Sequence, residues 1–251
     1  MATNLPLITT PSYELTLPSD GSKIQFRPFL VKEEKILLMA VESKDEKEML
    51  SALRQIIVNC VENDDFDVDA APLFDLEYIF LKLRAKSVGE KAKPIIRPEG
   101  CTVDVELEVD LDTVECVKDK SHSNKIVIVS KSKGQEEIGV HLVYPALNNT
   151  DSVDQKDADN PEVAFNVIRN CLEYIYQGET VFSAKDYTEN QLTEFIDNLT
   201  QEQFSKITSF FETMPHIEKE VSYVNPCTKE EETVVLKGLQ DFFKSPSATT
   251  T

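Results

Sequence analysis

Apolar and polar positions alternate near the start of the chain, and then the period changes. Tyr13, Leu15 and Leu17 are separated by polar residues, Pro18-Ser19-Asp20-Gly21 supplies turn residues, and Ile24 and Phe26 resume the alternation. This pattern predicts a β-hairpin. From Val31 onward the apolar positions recur at three and four residues: Ile36, Leu37 and Ala40, then Met49, Leu50, Leu53, Ile56, Ile57 and Cys60. Two helices with acidic residues early in each run are expected, separated by a break near 43–45. After an acidic loop over 62–69 and Pro72, the residues Leu76, Ile79, Phe80 and Leu83 share one face of a third helix, which Gly89 ends.

Pro94 and Pro98 mark a switch to period two. Val103, Val105, Leu107, Val109 and Leu111 alternate with Asp104, Glu106, Glu108, Asp110 and Asp112, which predicts one long strand with an apolar face and an acidic ladder. Two further β-rich runs, 125–129 and 138–144, flank the Lys131-Ser132-Lys133-Gly134 turn, so residues 100–145 are expected to form an antiparallel sheet. Residues 147–160 contain almost nothing apolar and read as a flexible acidic loop at the main internal boundary. Beyond it, Asn160-Pro161 fits the cap and first position of a helix carrying Val163, Val167, Ile168, Cys171, Leu172 and Ile175, stopped by Gly178. Thr188 with Gln191 and Thr200 with Gln203 have capping-box spacing, so two short helices are expected, the second ended by Pro215. Ile217, Val221 and Tyr223 are expected to pair with 233–236 across an Asn225-Pro226 turn, followed by a short helix carrying Leu239, Phe242 and Phe243. The division read from sequence is 12–146 for hairpin, helices and sheet, 147–160 for the loop, 161–244 for the C-terminal helices and hairpin, and 245–251 for a disordered tail. The class is α+β: helical clusters with an N-terminal β-hairpin, a central antiparallel β-rich segment and a C-terminal β-hairpin plus short helix.

Charge narrows the possible functions. The 251 residues carry 26 Lys and Arg against 45 Asp and Glu, a formal net charge of −19. Such a surface repels phosphate backbones and anionic membranes and favours basic protein partners. The first residues lack a basic and apolar leader, and no stretch approaches the roughly 20 apolar residues of a membrane span, so the chain is expected to stay in the compartment where it is made. Five widely spaced cysteines, with no C-x-x-C pair, argue against a disulfide framework or a four-ligand zinc site and fit a reducing cytosol.

No constellation of catalytic residues is visible. Asp65, Asp67 and Asp69 suggest a calcium loop, but the sixth position is Ala70 rather than Gly and the twelfth is Leu76 rather than Glu. His122, His141 and His216 are isolated from one another and from any nucleophile motif. Cys60 and Cys171 fall on apolar faces, while Cys101, Cys116 and Cys227 lie near turns or strand ends, where the sequence leaves metal binding open. With seven glycines and no Gly-rich phosphate loop, nucleotide chemistry has no cradle, and no cofactor is expected. The acids Asp104, Glu106, Glu108 and Asp110 read first as the wet face of a strand, offset by Lys118, Lys120, Lys125, Lys131 and Lys133, and second as a surface for a basic partner. Phe242 and Phe243 read first as core and second as an aromatic pair that docks into a partner.

Six segments in one order resemble the baseplate protein family of T4-like bacteriophages, the hub assembly proteins. They are Phe26-Arg27-Pro28-Phe29-Leu30-Val31-Lys32-Glu33-Glu34-Lys35, Leu83-Arg84-Ala85-Lys86-Ser87-Val88-Gly89-Glu90, Val109-Asp110-Leu111-Asp112, Leu142-Val143-Tyr144-Pro145, Phe211-Glu212-Thr213-Met214-Pro215 and Gly238-Leu239-Gln240-Asp241-Phe242-Phe243. The resemblance implies a non-enzymatic protein needed to build the central hub of the baseplate, working in the host cytoplasm as an assembly factor or remaining in the virion as a subunit. It implies phage hub or tail proteins as partners and brings no catalytic residues. A metal-dependent enzyme is the remaining alternative. The resemblance implies paired cysteines in the β-rich inserts of some relatives; here only Cys101 and Cys227 stand at such places, without partners. The first two segments are expected to form one structural corner, with Arg27, Arg84 and Lys86 either offsetting nearby acids or meeting a partner.

Overall fold

A computed structural model of the protein describes residues 9–43, 45–150 and 161–243. The expected N-terminal hairpin is present: β1 (Tyr13–Thr16) and β2 (Lys23–Phe26) are antiparallel, with Tyr13 opposite Phe26. Ile24 and Phe26 are buried while Lys23 and Gln25 face water, which is what a period of two produces on a half-covered strand pair. Helices α1 (Val31–Ser43) and α2 (Glu46–Cys60) follow, broken where the sequence predicts. Asp45 starts α2 by accepting hydrogen bonds from the backbone N–H groups of Lys47 (2.8 Å) and Glu48 (3.3 Å). Helix α3 (Leu73–Ser87) is buried on nearly every side, including Asp75 and Lys82.

The predicted long strand is corrected. Residues 91–97 pair with 105–110 as an interrupted hairpin, in which β3 (Lys91–Ala92) meets β6 (Val109–Asp110) and β4 (Ile95–Ile96) meets β5 (Val105–Glu106) in one continuous register. Between the two halves stands Pro94, which has no N–H to donate, although its carbonyl still accepts from Leu107 N–H at 2.9 Å. A 3-10 turn, Leu111–Thr113, then ends the alternation. The expected sheet over 100–145 is also divided. β7 (Glu115–Val117) joins β12 (His216–Val224) and β13 (Glu231–Lys237) in one sheet. β8 (Lys125–Val129) and β9 (Ile138–Leu142) join β10 (Leu172–Gln177) and β11 (Thr180–Ser183) in another, ordered β11-β10-β9-β8.

Two other expectations change. Leu147–Thr150 forms one helical turn, α4, and 151–160 lie outside the described residues, as do the proposed cap at Asn160 and the tail 245–251. The helix predicted to run toward Gly178 stops as α5 (Pro161–Asn170); Leu172 to Gln177 is an inner strand, and Gly178, at φ +59°, turns it into β11. Spacing at Cys171, Leu172 and Ile175 fits a helix, but a central strand with both faces covered also shows an apolar run. Gly139 in β9 is required by close approach, since an added Cβ would lie 2.3 Å from the Tyr176 hydroxyl. Both capping boxes form, Thr188 at α6 (Glu189–Asp197) and Thr200 at α7 (Gln201–Thr213). The expected β12–β13 hairpin forms with Val221 opposite Val234, but Ile217 pairs with Cys116 of β7 and Tyr223 with Glu232 rather than with 233–236; α8 (Gly238–Asp241) follows.

Contacts group the chain into two compact units. Unit 1 holds the described parts of Met1–Val68, Phe74–Val117 and His216–Thr251, and unit 2 holds Asp69–Leu73 and Lys118–Pro215. The boundary read from sequence lies at 147–160, whereas these divisions fall near 68, 73, 117 and 215. Unit 1 packs Leu81, Leu107, Leu111, Ile217, Leu236 and Phe242 together; unit 2 packs Ile128, Val140, Leu142, Ile196, Ile207 and Phe210. Cys101 and Cys227 form a disulfide, Cα to Cα 6.0 Å, across 126 positions. This corrects the reading of both as partnerless and removes them as metal ligands. Asn225 sets the position of Cys227, its side-chain oxygen accepting from the Cys227 N–H at 2.8 Å.

Candidate protein-interaction surface

The corner between residues 26–35 and 83–90 exists in unit 1. Ser87 Oγ accepts from Phe29 N–H at 2.9 Å and donates to Leu83 C=O at 2.5 Å, tying the start of α1 to the end of α3. Glu33 accepts from Leu30 N–H at 2.9 Å, a reach back to the helix cap from the third helical position. Its other oxygen lies 3.2 Å from Arg27 Nη2, and Arg27 also donates to Pro28 C=O (2.9 Å) and Asn59 C=O (2.7 Å). Burial acts to raise the Glu33 pKa, but the Leu30 N–H and Arg27 outweigh it and hold the carboxyl below its ordinary value. Arg27 is therefore committed inside the fold.

Arg84 and Lys86 differ. Lys86 Nζ reaches Asp112 Oδ2 at 2.5 Å and Glu90 Oε1 at 3.2 Å, and the bond to Asp112 leads in raising its pKa. Arg84 lies over the Phe243 ring at 5.7 Å, and its Nη1 is buried with no hydrogen-bond acceptor among the described residues. Burial lowers the Arg84 pKa, partly opposed by the charge of Glu34. Phe243, 38% exposed, meets Phe80 edge-on at 6.3 Å between centroids. Phe242 is 1% exposed and belongs to the unit 1 core, so of the aromatic pair only Phe243 has a free face.

The acidic ladder is paired by cations that sequence reasoning did not assign. Lys91 binds Glu108, Lys93 binds Glu106 at 2.8 Å, and Arg97 binds Asp104 at 2.7 Å, all across the interrupted hairpin. Asp110 caps the 3-10 turn by accepting from Asp112 N–H at 3.0 Å. The lysines named from sequence are not among these pairs, because cross-strand register brings 91–97 opposite 104–110.

Three buried charges on or beside these elements went unnoticed: Glu33, Asp75 and Lys82. Lys82 donates to the carbonyls of Leu111 (3.0 Å), Asp112 (2.8 Å) and Val114 (3.1 Å), placing its ammonium at the carbonyl end of the 3-10 turn. Burial lowers its pKa. Asp75 accepts from Ser19 N–H (3.1 Å) and Ser19 Oγ, and burial pushes its pKa up to about 6 against those two donors. The one signal in the sequence is the presence of two acids, Asp75 and Glu77, and one base, Lys82, inside the apolar run Leu73 to Leu83.

In unit 2, His122 connects two of the resembling segments. Thr213 Oγ1 donates to Ser209 C=O at 2.7 Å, so it accepts from His122 Nδ1–H at 3.0 Å, and His122 Nε2 accepts from the Tyr144 hydroxyl at 3.0 Å. Burial, then Lys118, pushes the His122 pKa down, and the ring stacks on Tyr144 and Phe210. Both nitrogens are used structurally. The free thiols are poor nucleophiles: burial raises Cys60 to about 11 and Cys116 and Cys171 to about 12. Among the described residues no group of three His, Cys, Asp or Glu is arranged to hold a metal ion, and no helix is long and apolar enough to cross a membrane.

Four of the six resembling segments therefore meet around the second half of α3. Phe29 bonds Ser87, Lys86 bonds Asp112, Leu111 N–H donates to Glu90 C=O at 2.7 Å, and Arg84 lies on Phe243. A family model described as T4 bacteriophage base plate protein matches residues 10–244. The chain belongs to this family. No curated protein and no solved structure matches it. The match covers both units of this base plate protein, nearly the whole chain, and places its partners among the structural proteins of the phage.

Proposed function

We propose that this base plate protein acts without catalysis in building the central hub of the baseplate, through protein contacts made in the host cytoplasm. The observation that carries the reading is the family match over 10–244 together with the meeting of four resembling segments at the end of α3. A fold that uses both nitrogens of His122 internally and keeps its free thiols protonated supports a role in recognition rather than chemistry. The net charge of −19 supports protein partners over nucleic acid. One observation favours a second reading, a permanent subunit of the virion baseplate: the Cys101–Cys227 disulfide is of a kind that persists in oxidising surroundings outside the cell.

Quantitative mass spectrometry of infected-cell fractions and purified particles tests both. Presence with hub intermediates and absence from particles is the result expected of an assembly factor. A fixed ratio in particles identifies a subunit, and association with neither overturns the reading. Metal analysis of the purified, folded chain tests the enzyme alternative, which a stoichiometric catalytic metal would revive.

A further inference from the structure

We propose that the outer face of α1 is a contact between two copies of this chain, in which the two helices lie antiparallel across a two-fold axis. The contact goes beyond the hub reading and needs no second kind of protein.

Burial divides α1 into two faces. Glu33 and Ala40 are buried and Ile36 and Leu37 are half-buried, so positions 33, 36, 37 and 40 turn toward the rest of unit 1. Spacings of four, three and four residues bring Val31, Lys35, Leu38 and Glu42 together on the opposite face, with Met39 beside Leu38. Val31 is 80% exposed, and Leu38 and Met39 are 62% exposed each. Large apolar side chains gathered in water on one helix face are of the kind that marks a protein contact.

The order of charge along this face selects the occupant. Lys35 and Glu42 are both exposed, and neither has an ion-pair partner among the described residues. In a two-fold contact the same patch serves both copies, so residue i meets j and j meets i. A second α1 turned end for end about a point between Leu38 and Met39 places Lys35 against the partner's Glu42, Glu42 against the partner's Lys35, and Leu38 against the partner's Met39. Two pairs of opposite sign then flank an apolar centre, so this one face carries its own complement. The other charges of α1 are Lys32, which lies 3.4 Å from the buried Glu33, and the exposed Glu34. Two lysines against three glutamates leave the helix close to neutral, and most of the chain's −19 lies on other elements. That charge opposes association at long range and is screened beyond about 8 Å at physiological salt. A single helix face is smaller than a standard interface, so the association is weak and reversible.

The test is sedimentation equilibrium of the purified full chain over a wide range of concentration, in about 0.15 M salt. The expected result is a monomer–dimer equilibrium. Leu38→Asp, Lys35→Glu and Glu42→Lys should each weaken it at least tenfold, and because all three side chains are exposed, thermal unfolding should show each variant folded. The double variant, Lys35→Glu with Glu42→Lys, should recover the parent's equilibrium. So should a mixture of the two single variants, in which every acid again meets a base. A chain that stays monomeric at every concentration overturns the second copy as occupant. A dimer that none of the three substitutions weakens overturns the face, and a double variant or mixture that stays apart overturns the antiparallel register.

Discussion

Glu33, Asp75, Lys82 and Asn225, the buried polar side chains among the described residues, all lie in unit 1, whereas unit 2 is built on ring against ring. There His122 and Phe210 both stack on Tyr144, Phe211 meets Phe210 edge-on at 5.1 Å, and Phe165 stacks on Phe204 at 4.8 Å. The difference is one of direction. A buried ammonium with three carbonyl acceptors fits one geometry, while an apolar stack accepts a shape of similar volume. Unit 1 is also where four of the six resembling segments converge, and its polar bonds fix the elements that carry them. Buried charges are weak evidence of stability in themselves, and their removal one partner at a time is costly.

Swapping one residue in each unit should sharpen this contrast most. Lys82→Met leaves the carbonyls of Leu111, Asp112 and Val114 without their donor and should cost about 3 kcal/mol. Phe210→Leu, nearly volume-conserving, should cost only about 1.5 kcal/mol. Equal losses in urea titrations would erase the distinction.

Next in size is the pH dependence. The pKa of Asp75 is raised from 3.8 to about 6, so its contribution is full below about 4 and is lost as pH rises through 6. Glu33 has the opposite sign: its depressed pKa gives stability that is present above the ordinary Glu range and lost as pH falls through the folded value. Asp75→Asn should therefore be more stable than the parent by about 2 kcal/mol at pH 7, with the gain gone near pH 4. Parallel stability curves for the two proteins would contradict the assignment.

Helix caps should not tell the units apart. Thr200→Ala in unit 2 and Asp45→Ala in unit 1 should each cost about 1 kcal/mol, since a cap acts within its own turn. Smallest of all is the paired replacement Lys91→Ala with Lys93→Ala. These side chains are exposed, and no measurable change in Tm is expected at physiological salt. A clear drop would mean that the cross-strand ion pairs hold the interrupted hairpin.

Legibility in the sequence followed the range of each interaction. The β1–β2 turn, the break before Asp45, both capping boxes and the β12–β13 pairing depend on residues a few positions apart, and all were readable. Alternation reported the inward side chains Leu107, Val109 and Leu111 but not Val103, which is 50% exposed, and the strand's partner lay at 91–97, where Pro94 broke the ladder from the other side. Leu172 to Gln177 has apolar spacing that both a helix and an inner strand satisfy, and only pairing with β9 and β11 decides. At the candidate surface, Arg84, Lys86 and Phe243 were identified as residues, but the internal use of Arg27 and the burial of Phe242 depend on packing that composition does not encode. Asp75 and Lys82 were missed because helical periodicity treats a charge within an apolar run as noise.

The disulfide also sets how the chain bears tension. Residues 102–226 form a closed ring hung on Cys101 and Cys227, and that ring contains all of Lys118–Pro215. A pull between the N-terminal hairpin and α8 crosses from one sulfur to the other and bypasses the ring entirely. With the bond reduced, the covalent path of the same pull would include every residue of the ring, so oxidation takes Lys118–Pro215 off that path while Asp69–Leu73 of the same unit stays on it.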